Sequence, residues 1–189
     1  MAQKLLNDFL APIEKEFAAL GAQGKAMQDY LAALRVYCEN MKGQSFGMFA
    51  PQGMLGQEAI FQFASIQRGD AKQLLAAAKT MFDSQQALMG MFGGPMAQQQ
   101  VATTYTANAK TIDGVTFDQA TTSFNLAGAP GQQRTPQQMQ MQQMMTWMYG
   151  PGGMNMYMGA VDNNTLATAS GANDALLKQL VASAKGQQD

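Results

Sequence analysis

No part of this sequence limits the choice of fold more than Asp113-Gly114, which lies between two strand-like runs. The flanking residues 103–112 and 115–126 are rich in β-branched side chains, which favour extended backbone. A two-residue type I′ turn needs positive φ at both positions, and Asp-Gly is among the pairs that adopt it most readily. The pattern therefore predicts an antiparallel β-hairpin whose register is fixed by this turn.

The predicted hairpin has two unlike faces. A two-residue turn places Ile112 opposite Val115 and, farther along, Tyr105 opposite Thr122. One face of the hairpin is then apolar, while hydroxyl and amide groups line the other. Because an apolar sheet face needs a covering layer, we expect helices to pack against it.

Strand pairs followed by a helix recur along the chain. The pattern of apolar residues predicts a helical segment and then three hairpin–helix modules, at residues 1–42, 43–96, 97–150 and 151–189. We expect a single α+β domain over residues 1–189, of a size that can bury a substantial core. In this domain the modules form an antiparallel sheet of about six strands with helices on one face.

Capping residues mark the helix boundaries. Asp70 and Asn173 each precede an Ala/Leu/Lys-rich run, and both residue types accept hydrogen bonds at helix N-termini. Capping therefore accounts for the sequence Arg68-Gly69-Asp70, which is also spelled like an adhesion tripeptide. The helix after Asp70 is predicted to end within residues 90–95, where glycines and a proline oppose helix propagation.

The alternation of hairpins and helices, with Asp-Gly and Asp-Asn turns and a final Asp-x-Leu-Leu helix at residues 174–177, resembles uncharacterised bacterial envelope proteins built from such modules. The resemblance covers the chain from about residue 43 onward and implies an exported α+β protein, but it assigns no functional residue. Residues 1–17 lack the apolar core of a signal peptide. We therefore expect a periplasmic or secreted location if a signal peptide has been removed, and a cytoplasmic location otherwise.

Composition narrows the possible functions. Charged residues make up 13% of the chain and the formal net charge is −1, so no basic surface for nucleic acid is expected. No stretch reaches the roughly 18 apolar residues of a membrane-spanning helix. The absence of His removes the commonest general base and metal ligand. We expect a non-catalytic protein without a cofactor, acting through binding or as a scaffold; an enzyme of unrecognised type is a further alternative.

Methionine is abundant, with 17 residues, and several of them lie between residues 139 and 158. Met154, Met156 and Met158 alternate along a predicted strand, so their side chains project from one face. Thioether sulfur suits soft metals such as Cu(I) or Ag(I), and Trp147 is close in sequence as a cation–π neighbour. The same spacing also fits an ordinary core strand, because methionine often fills irregular cores.

A hydrophobic ligand or a protein partner is the other alternative suggested by the methionines. Methionine-rich surfaces adapt to varied apolar partners. Helices packed on a sheet can also leave a cleft between the two layers. The sequence is compatible with such a cleft and with a fully packed interface.

Overall fold

The structure, a computed structural model, describes residues 2–50, 59–124, 135–150 and 152–186. Its helices are α1 (Ala2–Ala19), α2 (Lys25–Asn40), α3 (Ala71–Gln100), α4 (Pro136–Tyr149) and α5 (Asp174–Ala184). Its strands are β1 (Met41–Phe49), β2 (Gln62–Gly69), β3 (Val101–Ile112), β4 (Val115–Phe124), β5 (Met154–Asp162) and β6 (Thr165–Ser170). Each of the three strand pairs is followed by a helix, and a short 3-10 turn joins α1 to α2.

The six strands form one antiparallel sheet in the order β1-β2-β6-β5-β4-β3. The last hairpin, β5–β6, therefore lies between the two hairpins that precede it in sequence. The predicted α+β class, the N-terminal helical segment and the six-stranded antiparallel sheet are confirmed.

The helices differ from the prediction in one respect, since they lie on both faces of the sheet. Leu166 of β6 is fully buried in a cluster with Leu74 of α3. The next residue, Ala167, is buried in a different cluster with Leu177 and Val181 of α5. Successive strand residues point to opposite faces, so α3 and α5 cover opposite sides. The prediction rests on the outer hairpin, whereas the central strand β6 is buried on both sides.

The Asp113-Gly114 turn has the predicted backbone. Asp113 has φ 48° and Gly114 has φ 80°, as a type I′ turn requires. Ile112 pairs with Val115, which confirms the predicted register next to the turn. The first part of the hairpin is therefore set by its two turn residues.

Farther from the turn the register changes at a bulge in β3. Between Thr106 and Lys110 the strand advances by four residues, while β4 advances by two. Tyr105 consequently pairs with Ala120, and the predicted pairing with Thr122 is wrong. Asp118 stabilises the bulge, because one carboxylate oxygen accepts the Asn108 N–H at 2.8 Å and the other accepts the Tyr105 hydroxyl.

Tyr105 is expected to ionise at a higher pH than an ordinary tyrosine. Burial raises its pKa, and so do the hydrogen bond to Asp118 and the negative charges of Asp118 and Asp83. The folded state thus holds the phenolic proton more tightly than the unfolded state. This stabilisation is complete below the unfolded pKa of about 10 and is lost as the pH rises through the folded pKa.

Absorbance at 295 nm, recorded during alkaline titration of the wild type and of Tyr105→Phe, isolates the Tyr105 transition by difference. We expect that transition to move to lower pH in Asp118→Asn, which keeps the ring but removes the charge. An unchanged transition in Asp118→Asn would contradict the role given to this carboxylate.

α5 is held by polar contacts from strands near opposite edges of the sheet. Lys110 of β3 forms an ion pair with Asp174, with an Nζ–Oδ1 distance of 2.5 Å. Arg68 of β2 donates to the backbone oxygen of Ala184 at the other end of the helix. These two contacts attach both ends of α5 to the sheet.

Both predicted N-caps of helices are present. The Asp70 carboxylate accepts the backbone N–H of Gln73 at 3.0 Å, at the start of α3. The Asn173 side-chain oxygen accepts the backbone N–H of Leu176 at 2.9 Å, at the start of α5. Each side chain satisfies an N–H group that a helix N-terminus leaves unpaired.

Two helices run through residues that oppose helix formation. α1 contains Pro12, and α3 continues through residues 90–95 to Gln100, so the predicted end of α3 is wrong. Helix propensity is a local preference that tertiary context can override.

Candidate functional site

Met156 and Met158 lie on the sheet face that α2 and α3 cover. Met158 is 1% exposed and belongs to a buried cluster with Phe82 of α3 and Ala120 of β4. Met156 is half-buried and packs against the same cluster. Both side chains therefore contribute to the interface between the helices and the sheet.

The other two residues of the predicted metal site, Met154 and Trp147, are not part of this cluster. Met154 begins β5, where it pairs with Thr122. Trp147 is in α4 and is 49% exposed, and its backbone oxygen accepts the N–H of Ile60. The structure thus brings Met156 and Met158 together at a cavity without placing Met154 or Trp147 in its lining. A soft-metal site at the three methionines stays a prediction.

A cavity of about 510 Å³, which we call the helix–sheet cleft, lies between α2, α3 and the sheet. Residues of α2 and α3 line the helical side of the cleft, and residues of β2, β5 and β6 line the side formed by the sheet. The side chains that line it are Tyr30, Tyr37, Gln67, Ala78, Met81, Phe82, Gln85, Leu88, Met156, Met158 and Thr168. Cavities of this size and mixed aromatic and aliphatic character are typical of small-molecule sites.

Polar groups of the helix–sheet cleft are held in place by neighbours on the sheet. Gln67 is buried; its Nε2 donates to Ser65 Oγ at 3.0 Å and its Oε1 accepts from Thr168 at 3.4 Å. Burial raises the pKa of Tyr37 and the charge of Cys38 raises it further, while a side-chain hydrogen bond with Gln67 opposes both effects. Tyr37 therefore remains protonated near neutral pH and can act as a hydrogen-bond donor.

The described lining of the helix–sheet cleft offers no ionic partner for a charged ligand. Among the described residues, none of those lining it is Asp, Glu, Lys or Arg. Transferring an unpaired charge into such surroundings is costly, whereas apolar surface gains from leaving water. The lining therefore favours an uncharged molecule with a large apolar part.

Most of the cleft was not identified from the sequence. Only Met156 and Met158 were singled out there. Tyr30 and Tyr37 are seven residues apart, and that spacing was a usable signal because it places both on one side of α2. What the sequence did not supply was the strand order that brings β2, β6 and β5 together under this helix.

A second cavity, of about 620 Å³, lies on the opposite face between β1, β2 and α5. Phe49 and Ile66 line it from the sheet, and Leu176 and Leu180 line it from the helix. It runs beside an edge strand, whereas the helix–sheet cleft lies between two packed layers. Of the two cavities, only the helix–sheet cleft contains residues that the sequence predicts as a candidate site.

Within the described part of the chain, no helix has both the length and the hydropathy needed to cross a bilayer. The same residues contain no group of three or more His, Cys, Asp or Glu side chains placed to hold a metal ion. No family model matches the chain, and neither a curated protein nor a solved structure has significant similarity to it.

Proposed function

We propose that this chain is a non-catalytic binding protein that takes an uncharged, largely apolar ligand into the helix–sheet cleft. The observation that carries the proposal is a cavity of about 510 Å³ between two packed layers, lined by aromatic rings and thioethers. Tyr37 and Gln67 supply hydrogen-bonding groups that can orient a ligand. Such a lining, mostly apolar with a few fixed polar groups, is typical of ligand pockets.

Tyr37 supplies a hydrogen-bond donor to the helix–sheet cleft. Burial raises the pKa of Tyr37, so its hydroxyl keeps its proton at neutral pH. It remains a good hydrogen-bond donor to a ligand oxygen. The bacterial envelope location rests on the sequence resemblance alone and has no role in the ligand proposal.

Binding of a neutral fluorescent probe tests this proposal. N-phenyl-1-naphthylamine is uncharged and becomes more fluorescent in apolar surroundings. We expect saturable binding to the wild type, with one site per chain. We expect weaker binding of anilinonaphthalene sulfonate, because the residues described as lining the cleft include no cation to pair with the sulfonate. Absence of saturable binding of the neutral probe would remove the proposal.

The variant Ala78→Trp locates the site. Ala78 is partly buried and lines the helix–sheet cleft, so an indole at this position occupies the cavity. We expect affinity for the neutral probe to fall by about tenfold or more, which corresponds to about 1.4 kcal/mol. Ala76→Trp places the same side chain at an exposed position of α3 and should leave affinity unchanged. Unchanged binding to a folded Ala78→Trp protein, judged by circular dichroism, would place the probe elsewhere.

A further inference from the structure

The two edge strands of the sheet differ in how well they are protected from pairing with another strand. β1 and β3 are the outermost strands, and within the described residues each pairs with a single neighbour. Exposed strand edges are commonly protected from association by charges, bulges or proline. β3 has such protection, because it contains the bulge between Thr106 and Lys110 and carries the Lys110 charge.

β1 lacks this protection over most of its length. Residues 43–49 pair with β2 in unbroken register and contain neither a charged residue nor a proline. Phe46 is 62% exposed and Met48 is 68% exposed. These two residues are two positions apart, so their side chains project from the same face of the strand. An edge of this type is suited to pairing with another strand.

The pattern of β1 is complementary to itself. In an antiparallel pair of two β1 strands related by a two-fold axis at Gly47, Phe46 of each copy lies opposite Met48 of the other. Phe49 then lies opposite Ser45. The contact contains two sulfur–aromatic pairs and no like charges between residues 43 and 49. Glycine at the axis keeps side-chain bulk away from the point of closest approach.

We propose that two copies of this chain associate through their β1 strands, which joins their six-stranded sheets into one continuous antiparallel sheet. A second copy is favoured over an unrelated strand because its own β1 places a methionine opposite each Phe46 and a glycine at the axis. A two-fold contact of this kind is closed, so the association stops at a dimer. The proposal does not depend on the helix–sheet cleft.

Sedimentation equilibrium of the full chain tests the association. We expect a reversible monomer–dimer equilibrium at concentrations up to the order of 100 µM. A wild type that remains monomeric throughout this range would overturn the proposal.

Two variants that introduce opposite charges into β1 test the register of the proposed pair. Phe46→Lys with Met48→Lys places like charges opposite each other in the homodimer, and Phe46→Glu with Met48→Glu does the same with negative charges. We expect each variant alone to be monomeric and an equimolar mixture to form a heterodimer. Both positions are exposed, so the fold should be retained, as circular dichroism can verify.

The matched control changes two other exposed methionines. Met141→Lys with Met144→Lys alters α4 and should leave dimerisation unaffected. A mixture of the β1 variants that stays monomeric, a single β1 variant that remains dimeric, or a monomeric α4 variant would each contradict association through β1.

Discussion

Replacing Phe117 with alanine is expected to lower the free energy of unfolding by about 3–5 kcal/mol. The Phe117 ring is 0% exposed and lies in the core between the sheet and α5, in a cluster with Leu177 and Val181. It also covers Gly159 of β5 so closely that a Cβ there would lie 2.8 Å from the ring. Truncation loses the burial of the ring and leaves a cavity that surrounding backbone cannot readily fill.

Urea denaturation followed by far-UV circular dichroism measures this effect. Phe9→Ala is the matched control, since Phe9 is 68% exposed on α1 and the same atoms are removed. We expect the control to unfold at nearly the wild-type urea concentration. Similar destabilisation by both variants would contradict the assignment of Phe117 to the principal core.

Gly69→Ala is expected to destabilise the fold by about 3–5 kcal/mol, from backbone strain and overpacking together. Gly69 joins β2 to α3 with φ 155°, a conformation that side chains rarely adopt. An added Cβ would lie 1.9 Å from the backbone oxygen of Asn40, at the end of α2. Because the obstacle is backbone rather than a flexible side chain, the ends of α2 and β2 would have to separate.

The variant Gly114→Ala separates the effect of backbone strain from the effect of overpacking. Gly114 also has positive φ, at 80°, but a Cβ there meets no atom within 4 Å. We therefore expect this control to lose only about 1 kcal/mol, the cost of the left-handed backbone for alanine. Urea denaturation followed by far-UV circular dichroism gives the free energy of unfolding of the wild type and of both variants. Equal losses in the two variants would mean that close approach of Asn40 has no energetic consequence.

Local structure could be predicted wherever a few adjacent residues determine it. The turn at Asp113-Gly114 and the caps at Asp70 and Asn173 are examples, because their hydrogen bonds and backbone angles involve near neighbours only. The register at Tyr105 could not be predicted in this way. It depends on a bulge stabilised by Asp118, a residue on the other strand.

The arrangement of the layers was harder to predict than the elements themselves. The outer hairpin suggested one apolar face, but residues 166 and 167 are buried on opposite faces of a central strand. The candidate site shares this limitation. Met156 and Met158 could be found from their alternation, whereas Tyr37 and Gln67 meet them only because β6 lies between β2 and β5.

The central position of β5–β6 has a consequence for how the chain folds. The two earlier hairpins can form from local contacts, but neither can join the other until residues 154–170 are available to fill the gap between them. Contacts between β2 and β6 close a loop of about a hundred residues, and such closure slows folding. During synthesis, the inner edges of β2 and β4 stay open until this last hairpin inserts, so this is the period of greatest risk of aggregation.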